Sequence, residues 1–207
     1  MTTQPGHRHT LNGSAPDSHH TALLIIDVVN DFNFPRGNEL LEQALPIAPR
    51  IAELKRRASA VGIPVVYVNE NFGRWQSRFE QIIAECLREE SPGRAFVEQL
   101  LPGEQDYFVL KPKHSGFYQT PLELLLKHFG TQRVILTGLS TNSCVLVTAD
   151  DAYMRDLQLM VPQDCVAAYN RRDHDFAIEQ MKQMLKADVR PSLAIESAEL
   201  ACYQPKA

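Results

Sequence analysis

Thr137-Gly138-Leu139-Ser140-Thr141-Asn142-Ser143-Cys144-Val145 joins an apolar run to a helix-forming segment through a tight turn, with a cysteine at the junction. Ahead of it, Val134-Ile135-Leu136 is short, continuous and apolar, as a parallel strand buried on both faces should be. Gly138 ends the strand. Ser140, Thr141 and Asn142 are good helix N-caps, and Ala, Leu, Met and Val then recur at helical spacing as far as Leu157. Cys144 is therefore predicted in the first turn of a helix, where unpaired N–H groups and the positive end of the helix dipole favour a thiolate. The same amides can hold a developing oxyanion. A buried structural cysteine is the competing reading, and the turn alone leaves both open.

Working outward, Leu23-Leu24-Ile25-Ile26-Asp27-Val28 reads as an apolar strand ending on a carboxylate. A helix or turn cap is the other use for Asp27. Glu39 to Val61 carries a helical pattern through Leu40, Leu41, Leu45, Ile47, Ile51 and Leu54, with Pro46 and Pro49 bending its start and Gly62 stopping it. Ile63 to Val68 is the second strand, followed by the polar and aromatic loop Asn69 to Trp75. Phe79, Ile82, Ile83 and Leu87 mark a short amphipathic helix. Tyr107 to Leu110 is the third strand and ends on Lys111; Pro121 opens a helix through about Phe129. Leu157 to Val161, Asp173 to Ala187 and Leu193 to Glu196 read as a fifth strand, a helix and a sixth strand. The fold class is α/β, a single-domain three-layer α/β/α sandwich around a mostly parallel sheet of about six strands, doubly wound in the Rossmann manner. Parallel strands present their carboxyl ends on one side, so Asp27, Lys111 and Cys144 converge on one rim.

The 207 residues suit one domain, and 44% hydrophobic with 22% charged residues is ordinary for a globular chain. A formal net charge of −4 gives no basic field for phosphate backbones, so nucleic acid is an unexpected partner. Four scattered cysteines without a C-x-x-C pair, and no membrane-span-length apolar run or signal-peptide core, point to a reducing cytoplasm. Residues 1–20 have almost nothing to bury and are expected to be a mobile tail, 21–200 to be the domain, and 201–207 a C-terminal tail.

Asp27 with Asn30-Asp31-Phe32, Lys111 in Lys-Pro-Lys-His-Ser-Gly-Phe, and Gly-Leu-Ser-Thr-Asn-Ser-Cys-Val followed by Thr148-Ala149 and Asp151-Ala152 together resemble the isochorismatase-like cysteine hydrolases. That superfamily contains the nicotinamidases and N-carbamoylsarcosine amidohydrolases, and the resemblance covers residues 21–200. It implies Cys144 as nucleophile, Asp27 as the base that takes its proton, and Lys111 as the charge supporting both. It further implies a cis peptide at Leu139-Ser140 and an oxyanion hole from the Ser140 and Cys144 amides. Members are commonly oligomers, so a homodimer or larger homo-oligomer is expected. Nicotinamidases carry a metal-binding Asp-x-His after the second strand, where this chain has Asn69-Glu70-Asn71. Neutral amides are poor ligands for zinc or iron, so no metal or other cofactor is expected and nicotinamide is disfavoured. The reading is a metal-independent hydrolase cleaving the C–N bond of a small amide or ureido compound. Phe32, Trp75 and Phe117 are candidates for an apolar pocket wall, with core packing as their competing use, and Asn71 and Arg74 are candidates for orienting a polar substrate. A vinyl-ether hydrolase using Asp27 as acid beside an idle thiol is the alternative. So is a non-catalytic binding member, which would be expected to have lost a triad position.

Overall fold

The computed structural model describes residues 19–71 and 78–201. In chain order these form β1 (Thr21–Ile26), α1 (Gly37–Ala44), α2 (Ala48–Ala60), β2 (Val65–Glu70), α3 (Phe79–Cys86), α4 (Arg94–Val97), β3 (Tyr107–Lys111), α5 (Leu122–Phe129), β4 (Arg133–Leu139), α6 (Leu146–Tyr153), β5 (Gln158–Met160), β6 (Val166–Ala167), α7 (Arg171–Met184) and α8 (Ser197–Ala201). The sheet runs β3-β2-β1-β4-β5, with β6 also on β4, and every pair is parallel.

Every residue of β1 and β4 is buried, which is why both read as unbroken apolar runs. Their side chains alternate between two cores. Leu23, Ile25, Val65, Tyr67 and Ile135 pack with α1–α4 and α8; Leu24, Ile26, Val66, Val68, Val134 and Leu136 pack with α5, α6 and α7. Each fully buried Leu or Ile contributes about 1.5–3 kcal/mol, so the two layers clamp the sheet from both faces. The strand order reverses beside β1: β2 and β3 lie to one side and β4 to the other. That reversal opens a crevice at the carboxyl ends of β1 and β4, where doubly wound sheets bind ligands.

Several element boundaries depart from expectation for local reasons. The pattern over Glu39–Val61 is two helices separated by a 3-10 turn, Leu45–Ile47, because Pro46 removes a helical N–H. β2 starts after Pro64 and continues to Glu70, which pairs with Lys111 of β3. The sixth strand expected at Leu193–Glu196 is absent: Ser192–Ala194 is a 3-10 turn, and β6 is Val166–Ala167. Two anchors hold that turn out of the sheet. The Asp164 carboxylate accepts from the Ser192 N–H (2.6 Å) and Oγ (2.8 Å), and Arg57 donates to the Ser192 and Ile195 carbonyls.

Of the expected tails, residues 1–18 and 202–207 lie outside the described residues. His19 and His20 are tied to the body: the His19 N–H donates to the Phe129 carbonyl, and the His20 carbonyl accepts from the Gln132 and Arg133 N–H groups, each at 2.9 Å. No helix among the described residues is long and apolar enough to cross a membrane.

Candidate active site

β1 ends where its chain turns out of the sheet at Asp27. The Asp27 N–H still donates to Val68 O (3.0 Å), but φ is +50°, in the left-handed region that aspartate tolerates better than most residues. The carboxylate is held at both oxygens: Oδ1 accepts from the Glu70 N–H at 2.7 Å, and Oδ2 lies 2.8 Å from Lys111 Nζ. Asn69 braces the segment beyond. Its Oδ1 accepts from the Val29 N–H (3.1 Å) and its Nδ2 donates to the Val29 carbonyl (3.0 Å).

Lys111 stands on β3, two strands from β1, at about 4.8 Å per strand, so only a long side chain reaches across β2. The side chain is fully buried, and its ammonium has three N–H donors and three acceptors: Asp27 Oδ2, the Lys113 carbonyl (3.2 Å) and Cys144 Sγ (3.4 Å). Burial opposes its charge, but Asp27 and then Cys144 outweigh that and hold the ammonium above the ordinary lysine value. Lys111 is thereby a fixed positive charge.

The nucleophile turn begins at Gly138, where φ is +102° and a Cβ would lie 2.0 Å from the Ile26 carbonyl oxygen. Any side chain there would force apart the ends of β1 and β4, and with them Asp27 and Cys144. Leu139-Ser140 is a cis peptide, as the family resemblance implied. Thr141–Val145 is one π-helical turn leading into α6, not the first α-turn predicted from the N-cap residues. The Ser140 carbonyl accepts from the Ser143 (3.0 Å) and Val145 (3.2 Å) N–H groups. Behind the turn, buried Thr141 Oγ1 meets His174 Nδ1 at 3.1 Å.

The Cys144 thiol is pushed up to about 12, first by burial and next by the charge of Asp27, with Lys111 pulling the other way. Burial thus opposes the thiolate that a helix terminus alone favours. The sulfur lies 3.4 Å from Lys111 Nζ, which is itself 2.8 Å from Asp27 Oδ2, so carboxylate, ammonium and thiol form one contiguous cluster.

His114 completes this cluster and was missed in the sequence. It lies in the loop after β3 with Nδ1 3.6 Å from Cys144 Sγ. Its only signal was its place three residues after Lys111. The Thr148 and Asp151 parts of the motif hold this loop to α6: Thr148 Oγ1 accepts from the Gly116 N–H (3.0 Å), and the Ser115 hydroxyl donates to the Asp151 carboxylate.

The candidate pocket residues fare differently. Phe32 is 2% exposed and packs edge-on against Phe96 (centroids 5.5 Å apart) in the core under α1–α4. Phe117 shares the opposite core with Cys144, beneath the Arg155 guanidinium at 4.7 Å. Asn71 is buried at the rim, its N–H donating to the Lys111 carbonyl at 3.2 Å. Arg74 and Trp75 lie outside the described residues. Among the described residues, no group of three or more His, Cys, Asp or Glu side chains is placed to hold a metal ion.

Comparison with known proteins agrees with this geometry. Residues 21–190 match the isochorismatase domain family. The chain is 39% identical over 168 residues to an uncharacterized isochorismatase family protein, YaaI, of Bacillus subtilis, covering 81% of this chain and 92% of that one. It is 30% identical over 169 residues to the ureidoacrylate amidohydrolase RutB of Methylobacterium radiotolerans, covering 69% of this chain and 65% of the relative. Among solved structures, the N-carbamoylsarcosine amidase of Thermoplasma acidophilum superposes with a TM-score of 0.64 at 29% identity, covering 83% of this chain and 96% of that one.

Proposed function

The chain belongs to the isochorismatase family, and from that premise we propose that it hydrolyses a C–N bond of a small amide or ureido compound through a thioester on Cys144. The observation that carries this reading is a cysteine sulfur 3.4 Å from a buried, fully committed ammonium that is itself paired with a carboxylate at 2.8 Å. An idle thiol in an ether hydrolase would not need them.

In the first half-reaction Sγ attacks the substrate carbonyl as its proton passes to Asp27, so no preformed thiolate is required. Lys111 stabilises the charge on sulfur as it develops. The tetrahedral oxyanion is held by the Ser140 and Cys144 N–H groups, each worth about 3 kcal/mol by precedent at other oxyanion holes. Protonated Asp27 then donates to the departing nitrogen, releasing ammonia or an amine and leaving the acyl group on sulfur. Water hydrolyses the thioester to a carboxylic acid or, where the substrate is a ureido compound, the corresponding thiocarbamate to a carbamic acid.

The reading is metal-independent. Asn69, at the place of a nicotinamidase ligand, has its amide committed to both backbone groups of Val29, which supports a bracing role instead. Exhaustive chelation should therefore leave turnover unchanged, and a tightly held stoichiometric metal whose removal abolished turnover would overturn this part. The same reading includes action as a homodimer or larger homo-oligomer in the cytoplasm, on small molecules and not nucleic acid.

An ammonia-release screen over small primary amides and ureido compounds tests the function. Turnover should appear on at least one compound and vanish in Cys144→Ala. Near-wild-type turnover in that variant would refute the thioester route.

A further inference from the structure

Cys144 has buried neighbours and an exposed one. Asp27 and Lys111 are the buried ones. Both Asp27 oxygens are engaged, that residue is only 7% exposed, and all three ammonium protons of Lys111 have acceptors. The exposed neighbour is His114, whose Nδ1 approaches both Sγ (3.6 Å) and Ser143 Oγ (3.5 Å). Lys111 sets this placement too. By donating to the Lys113 carbonyl it turns the loop back, so that the next residue lies over the sulfur. The first half-reaction makes no use of this imidazole.

We propose that His114 is a catalytic residue of the second half-reaction, the base that activates water against the Cys144 thioester. The inference rests on the thioester reading above. Water from solvent reaches the exposed imidazole first, and the imidazole can accept its proton; buried Asp27 receives the thiol proton. As the water oxygen bonds to the acyl carbon, its proton passes to the imidazole. The tetrahedral intermediate then collapses with cleavage of the C–S bond. The imidazolium returns the proton to Sγ, which its Nδ1 already faces, and the carboxylic acid leaves. Atoms and charge balance with water as the only co-reactant.

p-Nitrophenyl acetate separates the two halves, because its leaving group needs no protonation. Stopped-flow of the full-length enzyme should show a nitrophenolate burst from acylation that is absent in Cys144→Ala, followed by a steady rate set by deacylation. In His114→Gln and His114→Ala the burst rate and amplitude should persist while the steady rate falls about 100-fold. Acetylated Cys144 should then accumulate by intact mass, and free imidazole should restore the steady rate of His114→Ala. An unchanged steady rate would overturn the proposal while leaving the thioester reading intact. A burst rate that fell in parallel, or a deficit that imidazole failed to rescue, would show that the ring only shapes the site and would overturn it equally. A wild-type burst independent of Cys144 would remove both.

Discussion

Cys144 and Cys165 invite comparison, since each sits in a tight turn after a parallel strand of the same sheet, buried and beside a carboxylate. Both thiols are pushed up to about 12, with burial the largest cause and the neighbouring aspartate the next. Burial and a neighbouring carboxylate therefore push both thiols in the same direction. The difference is in what the aspartate and its surroundings can do. Asp164, beside Cys165, spends its carboxylate on the Ser192 N–H and hydroxyl and pins a surface turn. Asp27 is paired with a buried ammonium that also touches the sulfur, so when a proton moves from Sγ to Asp27 the charge created on sulfur is met by a cation already in place. Preorganised charge at the position where charge develops, and not a low resting pKa, separates the two turns.

The widest separation should come from the thiols themselves. Cys144→Ala should lower kcat/KM by several orders of magnitude with folding intact. Cys165→Ala should leave kcat/KM within about twofold and cost about 1–2 kcal/mol in urea denaturation, the usual scale for removing a small buried group. Similar activity losses in the two variants would erase the distinction.

The carboxylates should divide the same way, by a smaller margin. Asp27→Asn, like Lys111→Met, should cost about 1,000-fold or more in kcat/KM, and the double variant little beyond either single one because the groups act as a unit. Asp164→Asn weakens the anchor of Ser192 and should cost about 1–3 kcal/mol of stability with turnover retained. Additive losses for Asp27 and Lys111 would show that they act independently.

How much of this contrast was legible in the sequence depended on how local each signal was. The buried runs of β1 and β4 announce themselves, and Asp27, Lys111 and Cys144 could be placed together because parallel topology alone carries strand ends to one rim. His114 could not, since its approach to sulfur depends on Lys111 folding back to the Lys113 carbonyl, a contact with no periodicity. The same limit explains Leu193–Glu196: its composition suits a strand, and only the anchors from Asp164 and Arg57 make it a turn. Phe32 was legible as a family position but not as a side chain packed against Phe96, because the positive φ of 55° that directs the local chain is set by tertiary structure. The upward push on the Cys144 thiol was hidden for a related reason. Sequence displays the helix terminus that would stabilise a thiolate but not the depth of burial that opposes it.

The finest test of the comparison reads the thiolate population directly. With Cys86, Cys144 and Cys165 all pushed up to about 12, thiolate population cannot rank their reactivity at neutral pH, and access must. Cys144 is 8% exposed against 2% for Cys86 and none for Cys165, so of these three, brief iodoacetamide labelling, read by digestion and mass spectrometry, should fall first on Cys144. Because the pKa lies far above the assay range, its labelling rate should climb about 10-fold per pH unit from 7 to 9 without levelling. The neighbouring charges fix the signs of two further shifts. Asp27 holds the thiol proton on, so Asp27→Asn should lower the pKa and speed labelling at fixed pH. Lys111 draws it off, so Lys111→Met should slow labelling. A plateau near pH 8 in the wild-type enzyme would mean that Lys111 outweighs burial and that Cys144 rests as a thiolate after all. Slower labelling in Asp27→Asn would mean instead that the carboxylate acts on the resting sulfur chiefly as its proton acceptor.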